Sequence, residues 1–298
     1  MKPSAILTAD KHLREDIPVC RTDDYVQAQW DKIQFENQLA EKYGCPILDA
    51  GDVFNKWKPS PWLIREAVER LGGNRITIPG NHDLPNHSLE SYEKSGLSVL
   101  ESVDIYTVLK NNCLKEKEFN VCGISYGQAG NWNRADDNKS ILLLHQMVWQ
   151  GKKLPYPGAE NEGNEVTELL KKYPEFDLIV TGHNHQTFVQ EYKGRLLVNP
   201  GSMMRSTTDQ MDFKPSLFLW YADTNKVEQV FYPIKQGVIT REHIEKREEQ
   251  DARLQAFVQG LKQDAEIGLG FERNLEQFMN KNNISAAVKE KVWQFATR

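Results

Sequence analysis

Read for apolar and polar positions, the first 234 residues fall into short apolar, often β-branched runs closed off by Gly, Pro or Asp: SAILTAD, CPILDAGD, RITIPGNHD, NVCGIS, SILLLHQ, FDLIVTGHNH and RLLVNPGS. None has a helical period, so each predicts a β-strand. Two helix-length polar segments lie between the early runs, Asp23 to Lys42 and Pro61 to Leu71, the second opening with the proline that a helix start accepts. Strands alternating with helices predict an α/β fold. Farther on, SLFLWYA and VEQVFYPI are separated only by Asp223-Thr224-Asn225, which predicts an antiparallel hairpin. The expected architecture over residues 1–234 is therefore a sandwich of two mixed β-sheets flanked by helices.

After Pro233 the period changes. Ile244, Leu254, Phe257, Val258 and Leu261, then Ile284, Val288, Val292 and Phe295, recur at helical spacing, with Gly268 and Gly270 between the two sets. Residues 235–298 thus predict a small helical C-terminal appendage. No internal repeat or low-complexity segment interrupts either part.

Composition narrows the function classes. A chain of 298 residues, 39% hydrophobic and 27% charged, can bury a substantial core. The apolar run near the N-terminus is too short for a secretory segment, and no stretch approaches the roughly 18 apolar residues of a membrane span. Cytoplasm is the expected compartment, with no membrane partner. The four cysteines, Cys20, Cys45, Cys113 and Cys122, form no C-x-x-C pair and are expected as reduced thiols, so sulfur is not the expected metal ligand. A net charge of -5 denies the chain the global basic footprint of a duplex-DNA binder. Residues 235–298 are nearly balanced, with 11 Lys+Arg against 10 Asp+Glu, while the rest carries 26 against 32. Any nucleic-acid contact must come from a local patch.

Candidate chemistry sits where the strand-like runs end. Asp10 and His12 follow AILTA, Gly51-Asp52 follows ILDA, Gly80-Asn81-His82-Asp83 follows ITIP, His145 ends ILLL, and His183 and His185 follow LIVTG. In α/β sheets, loops at the carboxyl ends of strands are where side chains converge. In extended chain residues i and i+2 share a side, so Asp10 with His12, and His183 with His185, are expected to address a common centre. Five of the seven histidines lie at these ends, and only His87 and His243 lie elsewhere. Each block alone is weak, because Gly-Asp is a common turn and a lone histidine after a strand is generally a core residue. Their conjunction carries the reading.

In that order, Asp10-x-His12, Gly51-Asp52, Gly80-Asn81-His82-Asp83, His145 and Gly182-His183-x-His185 resemble the five signature blocks of the calcineurin-like metallophosphoesterases. The resemblance implies two divalent metal ions, one held by Asp10, His12, Asp52 and His185, the other by Asp52, Asn81, His145 and His183, with Asp52 as the bridge. It also implies catalytic roles for His82, which is not a ligand but protonates or stabilises the leaving oxygen, and for Asp83, which tunes it. Carboxylate, amide and imidazole donors without thiolate suit Mn²⁺, the first expectation, and equally Fe or Zn²⁺. Two ions about 3.5–4 Å apart acidify a shared water and clamp phosphoryl oxygens, so the expected nucleophile is a bridging hydroxide and no covalent enzyme intermediate forms.

Within that family, ILDAGDVFNKWKPSP with the later GNHD and VNPGS resembles the SbcD-type DNA repair nucleases, nuclease partners of SMC-like ATPases, and their phage-encoded relatives. This implies hydrolysis of phosphodiester bonds in DNA, as exonuclease or endonuclease, with the helical tail as cap, homodimer contact or dock for the ATPase. Arg14 stands where those nucleases place Gly, and Lys11 is unusual between the two ligands. The other readings are a phosphatase or phosphodiesterase for small nucleotides, cyclic nucleotides or phosphoproteins, and a non-catalytic scaffold. For substrate contacts the candidates are Trp57 and Lys58 in FNKWKPSPW and Trp132 in GNWNR, since cations interleaved with rings suit single strands, together with Arg205 in LLVNPGSMMR. The alternatives are that the tryptophans are half-buried loop anchors and that Arg205 is a solvated charge.

Overall fold

The computed structural model describes residues 2–130, 138–151, 154, 158–161, 163–264 and 270–296. The chain divides into two compact units, Met1–Ile239 and Thr240–Arg298.

In the first unit, β1 (Ala5–Thr8), β2 (Ile47–Asp49), β3 (Arg75–Thr77) and the two-residue β4 (Thr107–Val108) pair successively in parallel. On the other flank of β1 lies the predicted hairpin, β13 (Ser216–Tyr221) and β14 (Lys226–Phe231), giving a six-stranded mixed sheet in the order β14-β13-β1-β2-β3-β4. The second sheet runs β11 (Phe188–Tyr192), β12 (Arg195–Asn199), β10 (Leu178–Gly182), β7 (Lys139–His145), β6 (Phe119–Ile124), β5 (Cys113–Lys115). Its four central strands are parallel and its two edge strands antiparallel. A separate two-stranded ribbon joins β8 (Met147–Trp149) to β9 (Gly163–Glu165).

Both faces of each sheet are covered, which is why the central strands read as unbroken apolar runs. Ala5, Leu7, Leu48 and Ile76 meet Val121, Ile141, Leu143 and Val180 between the sheets. On the outer face of the first sheet Ile6 and Ile47 pack with Ile33 of α1 (Tyr25–Tyr43), Leu63 of α2 (Pro61–Arg70) and Leu97 of α3 (Gly96–Ser102). On the outer face of the second, Leu142, Leu144 and Ile179 pack with Leu169 and Leu170 of α4 (Val166–Lys172). The helix starts obey local chemistry: the Asp24 carboxylate accepts the Gln27 N–H at 2.9 Å, and the Ser60 hydroxyl accepts the Leu63 N–H at 3.2 Å.

The strands absent from the sequence reading, β4, β5, β8, β9 and β11, are short or polar. In β11 no residue is fully buried, so the apolar signal that marks a strand is missing. Cys113 and Cys122 correct the expectation of four reduced thiols: they face one another across β5 and β6 and form a disulfide, while Cys20 and Cys45 stay free and buried. Spacing gave no warning, because antiparallel pairing, not sequence proximity, brings them together. Among the described residues no helix is long and apolar enough to cross a membrane.

Lys11, noted above as unusual, is fully buried. Its ammonium donates to Asp49 Oδ2 at 2.6 Å and Thr8 Oγ1 at 2.7 Å and lies 3.6 Å from Glu36 Oε1. Arg75 donates to Glu36 Oε2 at 2.8 Å, and the Tyr232 hydroxyl donates to Glu36 Oε1 at 2.6 Å. Two cations and two carboxylates thus neutralise one another beneath the loop that carries Asp10 and His12.

The second unit contains α5 (Glu242–Asp264), α6 (Phe271–Lys281) and α7 (Ala286–Ala296) around a small core of Val258, Leu275, Met279 and Val292. The sequence pattern anticipates the first and third of these helices but not α6.

Candidate metal centre

The carboxyl ends of β1, β2 and β3 in one sheet and of β7 and β10 in the other deliver the candidate donors to one place. Asp10, His12, Asp52, Asn81 and His145 are buried, His183 is partly buried, and His185 is the most open. On one side His12 Nε2 lies 3.1 Å from His185 Nε2, 3.8 Å from Asp10 Oδ1 and 3.5 Å from Asp52 Oδ2. On the other side Asn81 Oδ1 lies 3.1 Å from His145 Nε2 and 2.9 Å from His183 Nδ1, and His145 Nε2 is 3.3 Å from Asp52 Oδ2. Asp10, His12 and His185 form one compact donor group and Asp52, His145 and His183 another, while His12, Asp52 and His82 share a third. Asp52 Oδ2 is within reach of both sides.

The local reason for this convergence differs from the expected one. Asp10, His12, Asp52 and His183 do not alternate along extended strands; all four adopt left-handed backbone, with φ of 50°, 47°, 57° and 79°. Such conformations are disfavoured for residues with a Cβ and tolerated best by Asp, Asn and His, and they collect at functional sites. The two histidines of Gly182-His183-x-His185 therefore separate, His183 to the Asn81 side and His185 to the His12 side. Gly80 is required by close approach, since a Cβ there would stand 2.2 Å from Asp52 Oδ1.

Neighbouring groups fix the donors' orientation. His145 Nδ1 donates to the Ala50 carbonyl at 2.7 Å, which turns Nε2 toward Asp52. The His183 N–H donates to both Asp10 oxygens, at 3.0 and 3.1 Å. Asn199, which the sequence marks only as a turn residue, donates to the Asn184 and Gln186 carbonyls at 2.6 and 2.9 Å and so ties down the His183–His185 loop. His87, given no role in the sequence reading, has its Nδ1 3.0 Å from the Asn81 carbonyl. The Tyr126 ring, also unanticipated, lies 5.7 Å from the His183 ring. Tertiary contacts reveal Asn199 and Tyr126, and the fold of the Asn81–His87 turn reveals His87.

Electrostatics set the two sides apart. Burial drives His12 down to about 3. His145 is buried as deeply, yet the Asp52 carboxylate beside it lifts it to about 10 and is itself held well below the usual range by His145. Two buried carboxylates, four imidazoles and one amide oxygen, with nitrogen and oxygen lone pairs aimed at one another and no thiolate, form a donor set that fits divalent cations.

His82 is exposed, with its Nδ1 2.8 Å from the Asn55 carbonyl and its backbone N–H on Asp52 Oδ1 at 2.9 Å. Asp83 differs from the expected tuner of that imidazole. Its carboxylate accepts the N–H groups of Gly80, Val53 and Phe54 at 3.1–3.2 Å, so it clasps two donor-bearing loops together. Burial and the neighbouring Asp52 raise it to about 8, against the pull of those amides.

The substrate candidates scatter. Lys58 is exposed and lines a cavity with Arg14, Asn55 and Lys56 beside the Asp10–His12 loop. Trp57 is half-buried, and its carbonyl accepts the Gly96 N–H at 2.7 Å, as a loop anchor would. Trp132 lies outside the described residues. Arg205 is buried and donates to the Met211 and Lys235 carbonyls at 3.0 and 2.7 Å, which corrects both expectations for it: it is neither solvated nor turned to the donor cluster.

A two-sheet α/β sandwich with candidate His/Asp metal ligands at its strand ends defines the class of metal-dependent phosphoester hydrolases. The chain belongs to the calcineurin-like phosphoesterase superfamily, whose domain matches residues 8–217. It is similar to the DNA double-strand break repair protein Mre11 of Archaeoglobus fulgidus, 27% identical over 186 residues, covering 53% of this chain and 41% of that one. It is also similar to the double-strand break repair protein MRE11 of Encephalitozoon cuniculi, 24% identical over 261 residues, covering 68% and 42%. A probable cyclic nucleotide phosphodiesterase of Synechococcus is 26% identical over 153 residues, covering 48% of this chain and 59% of the relative. The chain thus spans about two fifths to three fifths of the length of these relatives.

Proposed function

We propose that the protein is a two-metal phosphodiesterase that cuts DNA, with Asp10, His12, Asp52 and His185 holding one divalent ion, Asp52, Asn81, His145 and His183 the other, and Mn²⁺ as the metal. The observation that carries this reading is the position of Asp52 Oδ2, 3.5 Å from His12 Nε2 and 3.3 Å from His145 Nε2, as a shared carboxylate must be. When bound, such a pair of ions supplies an acidified water and polarises the phosphoryl oxygens.

The chain's own groups do the rest. The Asn55 carbonyl holds His82 by Nδ1 and leaves Nε2 to give its proton to the departing oxygen. Asp83 keeps the Asp52 and His82 loops in register by accepting the N–H groups of Val53 and Phe54 from one and of Gly80 from the other. Lys58, beside Arg14 and Lys56, meets backbone phosphates of the strand. Similarity to two double-strand break repair proteins favours DNA, and similarity to a cyclic nucleotide phosphodiesterase favours a smaller diester as the second reading. The helices of residues 240–298 are assigned to a cap, a contact with a second copy or a dock for an SMC-like ATPase, because among the described residues every candidate ligand group lies outside them.

The test is a turnover assay of Mn²⁺-loaded protein on labelled single- and double-stranded DNA, cyclic nucleotides, bis-p-nitrophenyl phosphate and p-nitrophenyl phosphate. Hydrolysis of DNA and of the synthetic diester is expected. Turnover of the monoester with none on DNA would overturn the nuclease reading, and turnover of cyclic nucleotides alone would replace it with the second.

A further inference from the structure

Beyond β12 the chain passes along α1, and a cavity of about 170 Å³ opens between them, lined by Arg21, Asp23, Asp31, Lys32, Arg205 and Lys235. None of the candidate metal ligands lines it. The volume is several times a water's share of about 30 Å³, enough for a small polyatomic ion.

The charges in this cavity do not balance. The Arg21 guanidinium takes both oxygens of Asp23, each at 2.8 Å, so Asp23 is already paired. Asp31 is exposed at the rim and accepts the Gln27 side-chain amide at 2.7 Å. Lys32 and Arg205, each only 4% exposed, reach no carboxylate among the described residues. Lys32 donates to the Met203 carbonyl at 2.6 Å, and Arg205 to the Met211 and Lys235 carbonyls. Buried cations are ordinarily paired, because desolvation is otherwise uncompensated. The shortage registers on both: burial, with Arg21 and Arg205 nearby, drives Lys32 down to about 7, and burial with Arg21 pulls Arg205 below its ordinary range, each against the smaller opposing pull of Asp23.

We propose that this cavity is a binding site for a phosphate group, in which Arg205 and Lys32 meet the inner oxygens and Lys235 closes the rim. A tetrahedral dianion supplies two negative charges to two unpaired buried cations, and a planar guanidinium beside a compact ammonium is a pairing that phosphate oxygens accept. Inorganic phosphate and the terminal phosphate of a nucleotide share this chemistry. Carbonyl contacts hold the two cations in place without neutralising them, so the site stands formed before the anion arrives.

The full chain carrying Asp52→Asn, stripped of divalent metal with a chelator that is then removed, so that no ion is left to bind phosphate, is titrated calorimetrically with inorganic phosphate at fixed ionic strength. Chloride serves as control, and a dinucleotide is compared with and without a 5′-phosphate. Saturable phosphate binding is expected, weakened roughly tenfold or more by Arg205→Met or Lys32→Met and a few-fold by Lys235→Ala. Lys235 is exposed, so that variant reports even if the buried ones fail to fold. Binding of the dinucleotide that requires its 5′-phosphate and is tighter than that of the free anion identifies a nucleotide end as the occupant; weaker binding identifies inorganic phosphate. No saturable binding, or binding unchanged by Arg205→Met and Lys235→Ala together, would overturn the assignment.

Discussion

Two buried polar clusters lie on either side of the segment that follows β1, and they are built on opposite rules. Beneath it, Lys11, Glu36, Asp49 and Arg75 pair cation with carboxylate, and the adjoining hydroxyls of Thr8 and Tyr232 complete the contacts. Above it, Asp10, His12, Asp52, Asn81, His145, His183 and His185 turn oxygen and ring-nitrogen atoms toward one another, as at 3.1 Å between His12 Nε2 and His185 Nε2. The lower cluster is balanced in charge, two cations against two carboxylates, with only Asp49 Oδ1 left without a hydrogen bond. The upper one is short of positive charge, which is the property of a site made to receive cations. Burial of polar groups therefore carries no functional message until one asks whether the charges close among themselves.

Breaking the upper cluster should give the largest effect. Asp52→Asn is expected to keep the fold, because Asn tolerates the φ of 57° there, yet to cut turnover to below about 10⁻⁴ of wild type and lower the bound metal from two ions. Elemental analysis beside the diester assay checks it, and two tightly held ions in that variant would erase the contrast. The reverse pattern is expected below. Lys11→Met strands Asp49 in the interior and should cost about 3–5 kcal/mol of unfolding free energy, measured by urea denaturation, while still leaving two metals per chain. If metal were lost at unchanged stability, Lys11 would belong functionally to the upper cluster.

Finer tests sharpen the division within the upper cluster. His82→Ala should lower turnover by about 10²–10³-fold with metal content intact, since His82 is proposed to act on the leaving group rather than on the ions. An unchanged rate would remove it from the mechanism. The smallest effect concerns pH. In chelator-treated protein His145 is raised from 6.5 to about 10, so its contribution to stability is complete below pH 6.5 and is lost as pH climbs toward about 10. A ligand must shed that proton to bind, so metal affinity should rise over the same interval. Denaturation and metal titration at several pH values, with His145→Gln as the comparison, would show a flat profile if Asp52 and His145 were not coupled.

The contrast also explains what the sequence discloses. The central strands of both sheets are legible because they are buried on two faces and leave apolar runs, and the donors are legible because they interrupt those runs at their ends. Their direction is less legible: alternation along a strand predicts that Asp10 and His12 share a side, whereas left-handed backbone at both residues brings them together. The lower cluster was illegible, since Lys11, Glu36, Asp49 and Arg75 are separated by helices and strands and each alone passes for a surface charge. Arg205 was misread for the same reason, its partners being carbonyls with no side-chain signature. Asp83 reads from the sequence as a partner of its neighbour His82, whereas it binds amides, that of Gly80 nearby and those of Val53 and Phe54 some thirty residues away.

The candidate donors come from both leaves of the sandwich, Asp10, Asp52 and Asn81 from loops of the first sheet and His145, His183 and His185 from the second. Anything bound by them rivets one leaf to the other. A chelator would then slacken the packing between the leaves, and protease sensitivity should spread through the interior of the sandwich before it appears in any isolated loop.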